Sequence, residues 1–103
     1  MEFLTVMYKI VFTKQAVKDL DNLKKSGISA KAKLLVDLIK NDLYQNPPRY
    51  EKLVGKLEGI LSRRINIQHR LVYQVYEEEF EENDIKYKGV VKIIRMWTHY
   101  EGV

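Results

Sequence analysis

A chain of 103 residues, 46% hydrophobic and 31% charged, is expected to be one domain with a single modest core. No apolar run reaches the ~20 residues of a membrane span. The first ten residues carry neither the basic nor the long apolar region of a secretory leader, and the absence of cysteine excludes disulfides and thiolate metal sites. A reducing cytoplasm is the expected location. The formal charge of +4 is unevenly spread. Glu77, Glu78, Glu79, Glu81, Glu82 and Asp84 fall within eight residues, and the other 95 residues hold 18 basic groups against eight acidic ones. The body of the domain is therefore strongly basic. That suits a polyanionic partner, nucleic acid first among them, and equally a solvated lysine-rich surface.

Residues 1–6 read as an upstream extension, because strand character begins at Met7, where Ile10 and Phe12 alternate as in a strand with one buried face. Thr13 is placed to cap a helix and Gly27 to end it in the left-handed conformation. Between them Ala16, Val17, Leu20 and Leu23 recur at helical spacing, and the remaining Lys, Asp and Asn residues imply a wet opposite face. A second helix is expected from a cap at Ser29, with Ala32, Leu35, Val36, Ile39 and Leu43 as its apolar stripe. Asn46-Pro47-Pro48 stops it. The short link between the helices implies an antiparallel pair. Residues 49–60 read as a loop. Strands are expected at about 61–65 and 70–76, joined by a tight turn near Asn66–His69. The acidic stretch through Gly89 reads as a loop, and Val90–Trp97 as a final, nearly continuously apolar strand placed centrally in the sheet. The order is β-α-α-β-β-β, an α+β fold with a helical hairpin on one face of a mostly antiparallel four-stranded sheet, and residues 1–103 form a single domain.

Three arginines and a histidine, Arg63, Arg64, His69 and Arg70, crowd one β-hairpin. Arginine pairs bidentately with phosphate and stays charged at working pH; the plainer reading is a hairpin edge kept soluble by charge. Alternation puts Arg64 on the face opposite Arg63. His69 and His99 are the two histidines. His99, beside Tyr100 after the last strand, can titrate near neutrality and act as an acid or base, although most surface histidines do neither. Two histidines without carboxylates at ligand spacing do not suggest a metal site. Glu51, in the run Arg49-Tyr50-Glu51-Lys52-Leu53, is an ordinary solvated glutamate unless the fold sets it beside Arg70 and His99.

Together, Glu51, the stretch Gly59-Ile60-Leu61-Ser62-Arg63-Arg64-Ile65, the block His69-Arg70-Leu71-Val72-Tyr73 and the terminal His99-Tyr100 resemble the Txe/YoeB toxins of type II toxin–antitoxin systems, within the RelE/ParE superfamily. The resemblance covers roughly residues 7–100, and the block S-R-R-I-(x)3-H-R-L-V-Y with a near-terminal H-Y carries its specificity. It implies a RelE-like fold and an endoribonuclease (an mRNA interferase) that cleaves mRNA in the ribosomal A site and inhibits translation. It also implies a cognate YefM/Axe-like antitoxin that folds onto the toxin, a homodimer as a further assembly, and no cofactor. Carried over by position, Glu51 is the general base on the ribose 2′-OH and Arg70 stabilises charge on the phosphorane. His99 is the general acid and Tyr100 positions the substrate. Arg64 is a supporting phosphate contact, with Arg63 and His69 placed in the same RNA-binding group. A carboxylate base, a histidine acid and an arginine suffice for this chemistry, since RNA supplies its own nucleophile.

Three features depart from the family pattern. Ile60-Leu61 stands where an aromatic pair is common, Val54 where a basic residue is frequent, and the acidic segment 77–89 is longer than the usual tight hairpin. An acidic projection would be repelled by ribosomal RNA, so it is expected to point away from the active face. Two other functions share the fold: a ParE-like gyrase inhibitor, which would lack the catalytic set, and a non-catalytic RNA- or ribosome-binding module. A toxin fold kept as a silent antitoxin partner is a third.

Overall fold

The computed structural model describes residues 7–52 and 59–97. The suggested extension at 1–6, Val54, His99 and Tyr100 lie outside the described residues. In chain order the elements are β1 (Met7–Phe12), α1 (Lys14–Lys25), α2 (Ser29–Asn41), β2 (Tyr50–Lys52), β3 (Ile60–Arg64), β4 (Arg70–Tyr76), β5 (Phe80–Glu82) and β6 (Ile85–Arg95). The sheet order is β1-β6-β4-β3-β2, with β5 paired to β6 beyond the end of β4. Only β1 and β6 run parallel among the described pairs; β6 is interior, as its apolar run anticipates. Ala16, Leu23, Ala32, Leu35 and Ile39 from the helices meet Leu71, Tyr73, Val91 and Ile93 from the sheet in one core, so the helical pair covers one face.

The helix ends follow local chemistry. Thr13 Oγ1 accepts from the Ala16 amide at 3.0 Å and donates to the Ile94 carbonyl at 3.0 Å, which caps α1 and ties it to β6. At the other end Gly27 has φ +75°, and the Gly27 and Ile28 amides bond to the Lys24 and Leu23 carbonyls. That is a Schellman motif, and Ile28 closes it by packing on the core. The expected cap at Ser29 is absent: Ser29 is already helical, and Ile28 precedes α2 without a side-chain cap bond. α2 also stops at Asn41, short of the prolines, so Leu43 reaches the core from the following turn.

The sheet has six strands rather than four. β2 is only three residues, with Glu51 and Lys52 exposed, and carries no hydrophobic alternation to reveal it. Most of the acidic stretch, from Phe80 onward, is a hairpin. Asn83 and Asp84 both have positive φ (51° and 65°) between Glu82 and its partner Ile85, the two-residue turn that matches strand twist and favours Asn and Asp. Phe80 stacks on Tyr87 with ring centroids 5.1 Å apart, Glu81 faces Lys86, and Glu82 pairs with Lys9 of β1. Consequently the last strand begins at Ile85, five residues earlier than its apolar run indicates. Gly89 lies inside it, where a Cβ would come within 2.0 Å of the Tyr76 carbonyl oxygen, so no larger residue fits without moving backbone.

One aspartate on α1 is not on the wet face. Asp19 is fully buried and accepts from Arg95 Nε at 2.8 Å, the Met96 amide at 3.0 Å and Gln15 Nε2 at 3.1 Å. Burial pushes its carboxyl up, but the donors from Arg95, Met96 and Gln15 outweigh that, and the net shift is below the ordinary carboxylate range. A depressed folded pKa contributes stability above the unfolded value of about 3.9 and loses it as pH falls through the lower folded value. We expect Asp19→Asn to cost about 1.5–3 kcal/mol at neutral pH. The gap between variant and parent should close below about pH 4. Urea unfolding at neutral and acidic pH measures it; a gap that does not change with pH would mean the charge contributes nothing.

Candidate functional site

β2, β3 and β4 present one line of side chains. Glu51 lies opposite Ser62, Ser62 opposite Val72, and Arg64 opposite Arg70. Arg70 Nε donates to Ser62 Oγ at 2.7 Å, and a terminal guanidinium nitrogen lies 3.4 Å from Glu51 Oε2. Ser62 is itself buried, so it holds Arg70 at a fixed pose, and the Glu51 side chain remains about half exposed. An ion pair this open contributes little to stability. Its interest is chemical: a carboxylate and a guanidinium share one accessible spot.

That spot lies in a cleft of about 470 Å³ lined by Lys31, Arg49, Glu51, Arg64, Ile67 and Arg70, among others. Among the described residues, four cations against one carboxylate suit it to an anion. Arg64 and Arg70 are directly opposite on adjacent strands, an arrangement that repels, and an anion between them would relieve it. Lys31 on α2 and Arg49 before β2 were not singled out in the sequence. Arg49 could have been suspected from its proximity to Glu51, but Lys31 is one of several lysines on an exposed helix face, and nothing in its spacing distinguishes it. Among the described residues no group of His, Cys, Asp and Glu could hold a metal, and no helix is long and apolar enough to cross a membrane.

The structure separates the hairpin's basic residues into two groups. Arg64 and Arg70 face the cleft. Arg63, expected among the phosphate contacts, is fully buried on the helix face. Its Nε donates to Tyr73 Oη at 3.0 Å, and its terminal nitrogens donate to the carbonyls of Leu43 and Gln45, each at 2.9 Å, and of Pro48. The guanidinium also sits 4.9 Å from the Tyr50 ring centroid. These bonds occupy the fork and pin the 43–48 segment to the sheet, which sets where Arg49 and Glu51 emerge. Arg63 is thus a positioning residue. Alternation separates it from Arg64 but does not say which face is dry.

His69, also expected with the RNA contacts, is buried, and its ring stacks on Trp97 at 4.1 Å between centroids and 16° between planes. It fixes the hairpin end next to Arg70 and brings the end of the described chain to the same place. Leu61 is in the core and Ile60 is half-buried, so these substitutes for an aromatic pair serve packing.

The acidic segment leaves from the other end of β4. Tyr76 is six residues from Arg70, about 20 Å along a strand. Glu77 accepts from Tyr8 Oη at 2.9 Å and Tyr44 Oη at 2.8 Å. Burial first, then the Glu77 bond and charge, push the Tyr44 phenol up to about 12 and the Tyr8 phenol well above its usual range. Both tyrosines therefore act as neutral donors that anchor the acidic segment away from the cleft.

Comparison with known proteins fits this geometry. A family model for the YoeB-like toxin of bacterial type II toxin-antitoxin system matches residues 12–100. Among solved structures, a chain of the YoeB–YefM complex from Staphylococcus aureus is 30% identical, with 90% of this chain and 98% of that one aligned at a TM-score of 0.65. The YoeB/ParE toxin from Agrobacterium tumefaciens aligns at TM-score 0.73 and 24% identity over 89% and 99% of the two chains. The DinJ–YafQ complex from E. coli aligns at 0.71 and 20% over 91% and 94%; these last two speak for the fold alone. No curated protein matches the chain. With a family model spanning most of its length and a solved relative at 30% identity over nine tenths of it, the chain belongs to the YoeB-like toxins of bacterial type II toxin–antitoxin systems.

Proposed function

We propose that this chain is a ribosome-dependent endoribonuclease that cuts mRNA in the A site without a metal. The observation that carries the reading is Glu51 beside Arg70, 3.4 Å apart, in a cleft with three further cations. Glu51 takes the proton from the ribose 2′-OH. The 2′ oxygen attacks phosphorus, the bond from phosphorus to the 5′ oxygen breaks, and His99 protonates the departing oxygen. Arg70, held by Ser62, faces the charge that develops on the phosphorane, and Arg64 supports it. Lys31 and Arg49 hold neighbouring phosphates. Tyr100 positions the substrate, by stacking on a base. The products are a 2′,3′-cyclic phosphate and a 5′-OH.

Chain geometry supports the assignment of His99 and Tyr100. Trp97 lies against His69, the neighbour of Arg70; two further residues, to His99, extend at most about 7 Å, and three, to Tyr100, about 11 Å. Both residues fall within the stretch that matches the family. Solved relatives from S. aureus include a YoeB–YefM complex and a YoeB dimer. Neutralisation by a cognate antitoxin and pairing with a second copy therefore belong to the proposal.

Primer extension on mRNA from programmed ribosomes tests it, with a His99→Gln variant and a ribosome-free arm. Cuts within the A-site codon that need the ribosome and disappear in the variant are expected. Cuts without ribosomes would keep the ribonuclease and remove its ribosome dependence. A folded protein that cuts in neither arm would move the assignment to a gyrase inhibitor or a non-catalytic binding module.

A further inference from the structure

Among the described residues that line the cleft, one exposed side chain is apolar and offers nothing to an anion. Ile67, at the tip of the β3–β4 hairpin, is 86% exposed, more than any other large hydrophobic residue described, and it lines the cleft with Glu51, Arg64 and Arg70. A single exposed aliphatic residue is ordinary. This one is presented on a rigid mount. Asn66 Oδ1 accepts from the Gln68 amide at 2.9 Å and from the His69 amide at 2.6 Å. The Ile65 and Asn66 amides donate to the His69 carbonyl at 2.9 and 3.2 Å. Ile65 is in the core and the His69 ring is stacked on Trp97. Both flanks of the turn are therefore anchored. A β-branched side chain has few χ1 wells, so little entropy remains to be lost on contact.

We propose that Ile67 is a substrate-binding residue of the cleft and packs against the face of a nucleobase adjoining the scissile phosphate. The inference rests on the ribonuclease reading above. The cations satisfy the sugar–phosphate chain, and an aliphatic group beside them offers nothing to a phosphate. The apolar surface of a nucleotide is its base face, and contact with it is tolerant of sequence because every base has one. A phosphate-only substrate would leave Ile67 in water, while a base over it removes apolar area from solvent on both sides.

The test uses the full chain on programmed ribosomes, with mRNAs carrying each nucleobase or an abasic sugar at successive positions of the A-site codon. Ile67→Ala should raise the half-saturating toxin concentration about tenfold, the size expected when roughly half of an isoleucine side chain is no longer buried. The maximal cleavage rate should stay within about twofold, since the residue does not touch the reacting atoms. Ile67→Leu should retain the parent behaviour. With an abasic sugar at one codon position, parent and Ile67→Ala should become equal, which identifies the base. The inference is overturned if both proteins saturate alike on intact mRNA, if the defect persists at every abasic position, or if Ile67→Ala lowers thermal stability and so shows a structural role. Should the parent itself fail to cut any mRNA, the ribonuclease reading falls and takes this inference with it. A parent that cuts, with an Ile67→Ala variant identical to it, removes this inference alone.

Discussion

Glu51→Gln is expected to reduce mRNA cleavage on programmed ribosomes by about 10²–10⁴-fold while leaving the fold unchanged. The substitution keeps the size of the side chain and a polar contact toward Arg70, 3.4 Å away, and removes the carboxylate proposed as the general base. Glu51 is exposed on a short edge strand, so stability should change by no more than about 0.5 kcal/mol. Arg70 gives the complementary result. Arg70→Ala should cost about 10²–10³-fold, the range for losing one donor to a developing oxyanion. Arg70→Lys should not restore the rate, because a single ammonium cannot hold Ser62 and fork a phosphate at once. The double variant should fall no further than the worse single one, since both are proposed to act on one transition state. Single-turnover cleavage with mapped 5′ ends reads all of these. Near-native cutting by a folded Glu51→Gln protein would remove the general-base assignment and point to His99 or to the ribosome for that proton.

The second large effect is on stability. Arg63→Met should destabilise the domain by about 3–5 kcal/mol, because three backbone carbonyls and the Tyr73 hydroxyl lose their partner in the interior. Arg63→Lys should recover only a small part, since three ammonium donors on one nitrogen cannot span acceptors spread from Leu43 to Tyr73. The Tyr73 phenol, which burial raises against the pull of Arg63, should stay protonated. Urea unfolding measures the loss. Whatever protein remains folded should also cleave poorly, for the 43–48 segment that Arg63 pins is what delivers Arg49 and Glu51 to the cleft. Full stability with weakened RNA binding would instead return Arg63 to the phosphate contacts.

Much of the architecture is local and was therefore legible in the sequence. The 3.6-residue spacing through α1 and α2, the Thr13 cap, the Gly27 stop and the alternation of β4 need only neighbouring residues to express themselves; α1 and β4 appear with bounds close to those expected, while α2 ends earlier, at Asn41. The basic block around Arg70 and its likeness to the toxin family depend on residue types in order, which a chain carries without folding. Tertiary structure decided the rest. β2 exists because Arg63 ties its approach to the sheet, and the β5–β6 hairpin because β6 supplies a ladder to acidic residues of low strand propensity. Asp19 and Arg63 were read as surface charges because burial of an ion is costly in isolation and becomes tolerable only with partners that lie far away in the chain. The same holds for the cleft. Lys31, Arg49, Glu51, Ile67 and Arg70 span three strands' worth of chain and a helix, and no periodicity connects them. They meet because the sheet order sets β2 at the edge beside β3, with β4 next, where the strands' side chains converge on solvent.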